Sequence, residues 1–211
     1  MAADLTFYTN PMSRGQTVRW MLEELGVPYE TVLLDYGTTM KGADYLAINP
    51  MGKVPAIVHK GNIVTEVAAI CVYLAEAYPE AGLKPKGGAL ADYYRWIFFA
   101  AGPIEAAFAD QAAGFIPPED KQAMFGYGTF ERATDTLEKA VAGKTYVAGD
   151  SFSAADVYVG SMINFLTTFG MLAPRPAFAD YIAGITARPT FKRAKEIDEA
   201  LIAQREAAAP A

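Results

Sequence analysis

Asn49-Pro50-Met51-Gly52-Lys53-Val54-Pro55-Ala56, running on to Thr65-Glu66-Val67-Ala68-Ala69-Ile70-Cys71-Val72-Tyr73-Leu74, carries most of the architectural information in this chain. Ala56 to His59 reads as a strand, Lys60-Gly61 as a turn and Ile63 to Thr65 as the returning strand of a hairpin. From Glu66 onward the apolar residues Val67, Ile70, Cys71 and Leu74 fall on one face of a helix. Pro55 has no N–H to give to a ladder, so its place at the head of a strand predicts a sheet edge or a special turn. Asn49-Pro50 closes whatever precedes it.

Working back toward the N-terminus, Leu5 to Thr9 alternates with period two and predicts a first strand. Val18, Met21, Leu22 and Leu25 recur at helical spacing and predict an amphipathic helix stopped by Gly26 and Pro28. Tyr29 to Leu34 predicts a second strand, and Gly42 to Ala47 a short helix. The order is β-α-β-α-β-β-α, an α/β domain over residues 1–79 with helices packed on a mixed sheet. Residues 80–88, ending in Gly87-Gly88, are rich in Pro, Gly and Lys and read as a linker. Residues 89–211 show Ala-rich helical segments and no sustained strand pattern, so the second domain is expected to be all-helical. Its clearest start signal is Ser151-Phe152-Ser153-Ala154-Ala155-Asp156-Val157. Ser153 as N-cap with Asp156 three residues on predicts a capping box, flanked by Phe152 and Val157 as a hydrophobic staple. The helix that follows is apolar nearly all round and is expected at the centre of that domain.

Composition narrows the functions open to the chain. Over 211 residues, hydrophobic side chains make up 52% and charged ones 20%, as in an ordered globular protein. A formal net charge of −6 argues against nucleic acid as a partner, since phosphate binding needs a basic surface. The most apolar stretch, Trp96 to Phe108, is interrupted by Gly102, Pro103 and Glu105 and does not suit a membrane span. The lone cysteine, Cys71, rules out an intrachain disulfide and fits a reducing cytoplasm. Cys71 lies on an apolar helical face and is expected to be inert. The one histidine, His59, has no companion ligands, so no metal site is expected.

The segment from Asn49 to Leu74 resembles the glutathione-binding segment of the cytosolic-type glutathione transferase family. In that family a Val-Pro pair precedes the third strand and an acidic–Ser pair opens the third helix. The Ser153–Asp156 cap resembles the capping box of the family's C-terminal domain, and together with the domain order the likeness covers nearly the whole chain. The resemblance implies a thioredoxin-like N-terminal domain and a cis peptide between Val54 and Pro55. The backbone of Val54 would then pair with the cysteinyl part of glutathione. It implies that Glu66 and the amide of Val67 receive the γ-glutamyl group at a helix N-terminus, where a carboxylate is favoured. Lys53, and Lys41 behind it, would neutralise the glycyl carboxylate. One departure stands out: the family's usual Ser is here Val67.

The first loop, Tyr8-Thr9-Asn10-Pro11-Met12-Ser13-Arg14-Gly15, is expected to hold the group that activates the thiol. A thiol of pKa roughly 8.5 is only a few per cent thiolate at neutral pH, so a donor near a helix N-terminus is needed. Ser13 matches the active serine of serine-type, theta-like bacterial members. Tyr8 matches the tyrosine-type classes, and Asn10 is a third donor. Their ordinary roles would be helix cap, core aromatic and turn former. Arg14 and Arg19 are open between surface ion pairs and ligand contacts.

The implied reaction is attack of glutathione thiolate on a small electrophile, with glutathione as co-substrate and no tightly bound cofactor or metal. Met12, Trp96, Phe99, Phe108 and Phe169 are candidates to line an apolar second-substrate site in a detoxification enzyme. The family pattern implies a homodimer in which Met51 is the interlocking hydrophobic residue. Two alternatives stand beside this reading: a glutathione-dependent peroxidase or reductase, and a non-catalytic binding or assembly module on the same fold.

Overall fold

The computed structural model describes residues 4–208. β1 (Leu5–Thr9), β2 (Glu30–Leu33), β3 (Ala56–His59) and β4 (Asn62–Thr65) form one sheet in the order β2-β1-β3-β4. β1 runs parallel to β2 and antiparallel to β3, with Tyr8 opposite both Val32 and Ala56, and β4 returns antiparallel at the edge. Leu5, Phe7 and Thr9 are fully buried while Thr6 and Tyr8 are half-exposed, the alternation the sequence shows.

α1 (Gly15–Leu25) buries Val18, Met21 and Leu22 and ends at Gly26, whose φ of 65° lets its amide reach the Leu22 carbonyl. A short 3₁₀ turn at Thr39–Lys41 leads into α2 (Ala43–Leu46), and α3 (Val67–Ala77) follows β4. The order matches the sequence expectation.

The chain divides into two compact units, the first reaching to Ala81 and resuming at Arg188, the second spanning Gly82–Ala187. This departs from the boundaries read in the sequence, 1–79 and 89–211. The terminal helix α9 (Pro189–Ala208) belongs with the first unit, not with the helices before it. The reason lies in α1. Glu24 accepts both a two-pronged bond from Arg188 (2.7 and 2.7 Å) and the Trp20 indole N–H (2.9 Å). The Thr190 hydroxyl also donates to it. Arg193 pairs with Glu23 at 2.7 Å, and Trp20 meets Phe191 edge-on with ring centres 4.9 Å apart.

Arg19, open in the sequence between surface pairing and ligand contact, is a buried cross-brace. It reaches Asp198 on α9 (3.2 Å), Tyr29 (3.1 Å) and Thr31 (3.0 Å), and lies over the Phe7 ring.

In the second unit α4 (Ala89–Phe99) runs through a π turn, Ala100–Ile104, straight into α5 (Glu105–Ala112). Pro103 sits in that turn, where the widened register absorbs its missing amide. α6 (Phe130–Val141), α7 (Ala154–Thr168) and α8 (Pro176–Thr186) complete the unit. The expected capping box is present: the Asp156 carboxylate accepts the Ser153 N–H at 2.9 Å and Ser153 Oγ accepts the Ala155 N–H. Asp156 is wholly buried and also receives Val147 N–H and Tyr181 O–H, both at 2.7 Å. α7 is buried along most of its length, as its all-round apolarity predicts. No described helix is long and apolar enough to cross a membrane.

Candidate functional site

The loop between β1 and α1 is organised around one carbonyl. Asn10 O accepts the Ser13 amide at 3.0 Å, the Ser13 hydroxyl at 2.6 Å and the Thr9 hydroxyl at 3.3 Å. Ser13 Oγ in turn accepts the Gly15 N–H at 2.9 Å, which fixes it against the first turn of α1. An oxygen held there feels the positive end of the helix dipole. Gly15 is needed for this approach, because a Cβ on it would lie 2.0 Å from Thr9 Oγ1.

Of the three donors weighed in the sequence, Asn10 takes up the turn-forming role. It is buried, its side-chain amide donates to Leu34 O at 2.8 Å, and its Oδ1 accepts the Met12 N–H at 3.0 Å. That is the structural office of an Asx turn. Tyr8 is half-buried and packs on Tyr45 with ring centres 5.7 Å apart.

The second candidate segment is the loop before β3. The Val54–Pro55 peptide is cis, as the sequence led us to expect. Two donors converge on the carbonyl just ahead of it: Tyr45 O–H at 2.6 Å and Asn49 Nδ2 at 2.7 Å both bind Lys53 O. The Lys41 amine closes the same loop onto Gly52 O (2.7 Å) and Met51 O (3.3 Å), which gives it a structural task. The Lys53 side chain is exposed. Tyr8, Val32, Ile48 and Val54 pack against a small apolar cluster of Leu34, Met40, Tyr45 and Ala56, so Tyr8 and Val54 share one packed base. Tyr45 was missed in the sequence, since nothing in a short polar helix marks a buried phenol. Asn49 was read only as a turn residue.

The third candidate segment is the start of α3. Glu66 caps it with φ 66° and ψ 120°, a backbone region that side chains other than glycine seldom occupy. Such strain is held where the surroundings demand it, often at ligand sites. Glu66 is exposed and Val67 half-buried. The first amides of a helix have no intrahelical acceptor, so the Val67 N–H is available to an anion.

The remaining expectations separate by burial. Trp96 and Phe108 are only 6% and 5% exposed and serve the core of the helical unit, Trp96 edge-on to Phe99 and Phe108 edge-on to Phe130. Met12 and Phe169 are 70% and 66% exposed and Phe99 is half-buried. Met51 is 65% exposed on the single chain. Cys71 is fully buried, and burial pushes its thiol up to about 12, which silences it as a nucleophile. His59 bonds the Tyr73 hydroxyl through Nδ1 (2.9 Å) and the Tyr78 hydroxyl through Nε2 (3.1 Å), one ring nitrogen donating and the other accepting, a structural bridge. Burial lowers its pKa, and the nearby Lys60 charge adds to the effect. Among the described residues no group of acidic, histidine and cysteine side chains could hold a metal ion.

Comparison with known proteins assigns the chain a family. Residues 12–77 match the family pattern "Glutathione S-transferase, N-terminal domain" and residues 104–184 the pattern "Glutathione S-transferase, C-terminal domain". The glutathione S-transferase GstB of Escherichia coli K12 is 30% identical over 82% of this chain and 88% of its own. Glutathione S-transferase 3 of Zea mays is 28% identical over 90% and 93%. Among solved structures, a glutathione transferase homolog from Sulfitobacter with bound glutathione superposes with a TM-score of 0.73 at 28% identity, covering 93% of this chain and 98% of that one.

Proposed function

This chain belongs to the glutathione S-transferase family, and from that premise we propose that it joins the thiol of glutathione to a small electrophile. The thiolate attacks the electrophilic atom; a carbon–sulfur bond forms, and a leaving group departs or the adduct takes up a proton. The observation that supports this reading best is the Ser13 hydroxyl held at 2.9 Å from the Gly15 N–H, on the first turn of α1.

Ser13 gives its proton to Asn10 O at 2.6 Å and must turn it toward sulfur to act. A neutral hydrogen bond of net ~1 kcal/mol is then exchanged for one to an anion, worth about 1.5–3 kcal/mol. The exchange runs toward the thiolate. The Val54 backbone would take the cysteinyl segment, the Val67 amide and Glu66 the γ-glutamyl group, and Lys53 the glycyl carboxylate. Met12, exposed in the loop that carries Ser13, would offer apolar surface to the electrophile. A homodimer with Met51 at its two-fold interface, working in the cytoplasm, completes the proposal.

Tyr8 is the second reading for the activating hydroxyl, favoured by its place on the same packed base as Val54. The reductase alternative loses ground, because thiol exchange through the protein's own sulfur would fall to Cys71 and its raised pKa. Steady-state kinetics with a panel of electrophiles tests the proposal. Ser13→Ala should lower kcat by about ten-fold or more with a small change in KM for glutathione. A loss seen only with Tyr8→Phe would move the role to Tyr8. Absence of glutathione binding by calorimetry would leave a non-catalytic module.

A further inference from the structure

We propose that Thr9 is a positioning residue for thiol activation: its buried hydroxyl weakens the hold of Asn10 O on the Ser13 proton and keeps that carbonyl satisfied when the proton swings to sulfur. The inference rests on Ser13 being the activating hydroxyl.

A carbonyl oxygen has two lone pairs, and Asn10 O faces three donors: Ser13 N–H at 3.0 Å, Ser13 O–H at 2.6 Å and Thr9 O–H at 3.3 Å. Thr9 and Asn10 are both buried, so water cannot readily stand in for a departing donor. Were Ser13 the sole side-chain donor, turning its hydroxyl would leave the carbonyl with one bond. With Thr9 in place, the Ser13 amide and the Thr9 hydroxyl fill both lone pairs after the turn. Each donor also draws charge from the acceptor, so the Thr9 bond loosens the competing Ser13 bond beforehand. Meanwhile the Gly15 N–H keeps Ser13 Oγ in place while only its proton moves.

The geometry around Thr9 leaves its hydroxyl little choice. Thr9 carries its own backbone load, with its carbonyl accepting Leu34 N–H at 2.8 Å, and its Oγ1 lies against the face of Gly15 that lacks a Cβ. Valine would fill the same volume at the end of this buried strand with no hydroxyl to satisfy. The hydroxyl is the part that strand packing does not explain.

The test compares Thr9→Val, Thr9→Ser, Ser13→Ala and the Thr9→Val/Ser13→Ala pair, reading the pKa of the glutathione thiol in the binary complex by ultraviolet absorbance. Thr9→Val should raise that pKa by about 0.5–1 unit and lower kcat about three- to ten-fold, with KM for glutathione unchanged. Thr9→Ser restores the hydroxyl and should stay near the wild-type pKa. The double variant should be no worse than Ser13→Ala, since Thr9 acts only through Ser13. If Ser13→Ala raises the pKa and Thr9→Val does not, the role given to Thr9 is overturned while Ser13 stands. If Ser13→Ala itself leaves the pKa in place, both fall. A pKa change in Thr9→Val that Thr9→Ser fails to reverse would also overturn it, because packing and not the hydroxyl would be responsible.

Discussion

Replacing Val67 by serine should tighten glutathione binding. Val67 is the first residue of α3, half-buried, and it follows Glu66 in its strained conformation. Its amide is one of the helix's unpaired first-turn donors. A carboxylate seated there has the amide on one side and two methyl groups on the other. A serine hydroxyl would add a charge-assisted bond worth about 1.5–3 kcal/mol before costs. Against that stand the desolvation of the hydroxyl and the displacement of any bridging water, up to about 2 kcal/mol. The net gain is on the order of 1 kcal/mol, about a five-fold lower Kd. The half-buried isopropyl group is worth about 1 kcal/mol of folding stability, so the ligand-free variant should melt a few degrees lower. Titration calorimetry with glutathione, beside a thermal melt, reads both quantities. Unchanged or weaker binding by a folded Val67→Ser protein would refute the placement of the γ-glutamyl carboxylate at this helix end.

Three further outcomes follow from the geometry. Gly15→Ala, which by helix propensity should stabilise by ~1 kcal/mol, should instead destabilise by about 1–3 kcal/mol and impair turnover. The added Cβ would overlap Thr9 Oγ1 at 2.0 Å, and a higher melting temperature would contradict that. Burial works against ionisation of Glu24, but the bonds from Arg188, Thr190 and Trp20 outweigh it and hold its pKa below the usual value. Its stabilisation is thus present above the unfolded-state pKa and lost as pH falls through the folded one. Glu24→Gln should cost about 2–4 kcal/mol at neutral pH, and the gap to wild type should narrow in acid melts; a gap independent of pH would show the charge to be irrelevant. Met51→Asp should shift the proposed dimer toward monomer in light scattering, and a wild type that is monomeric at micromolar concentration would dismiss the interface.

The sequence disclosed the first unit well because its signals are local. Period-two alternation in Leu5–Thr9, the Lys60-Gly61 turn and the glycine stop at Gly26 each act within a few residues. The Ser153–Asp156 cap was legible for the same reason. What stayed hidden is long-range. Helical periodicity tells which face of α9 is apolar but not which surface covers it, and long-range contacts such as Arg19–Asp198 and Glu24–Arg188, 179 and 164 residues apart, assign it to α1. The burial of Trp96 and Phe108 was not legible either, because an aromatic reads alike in a core and in a pocket. Tyr45 and Asn49 escaped because their shared acceptor, the carbonyl of Lys53, is a backbone atom that carries no sequence signal.

The central claim, that this chain binds glutathione and ionises its thiol, is tested most directly in the unaltered protein. Ultraviolet absorbance of the thiolate, followed against pH in the saturated binary complex, gives the pKa of the bound thiol. The hydroxyl at the α1 N-terminus should place it about one to two units below the free thiol value of roughly 8.5. A bound thiol that titrates at the free value, or a protein that forms no complex with glutathione, would contradict the account.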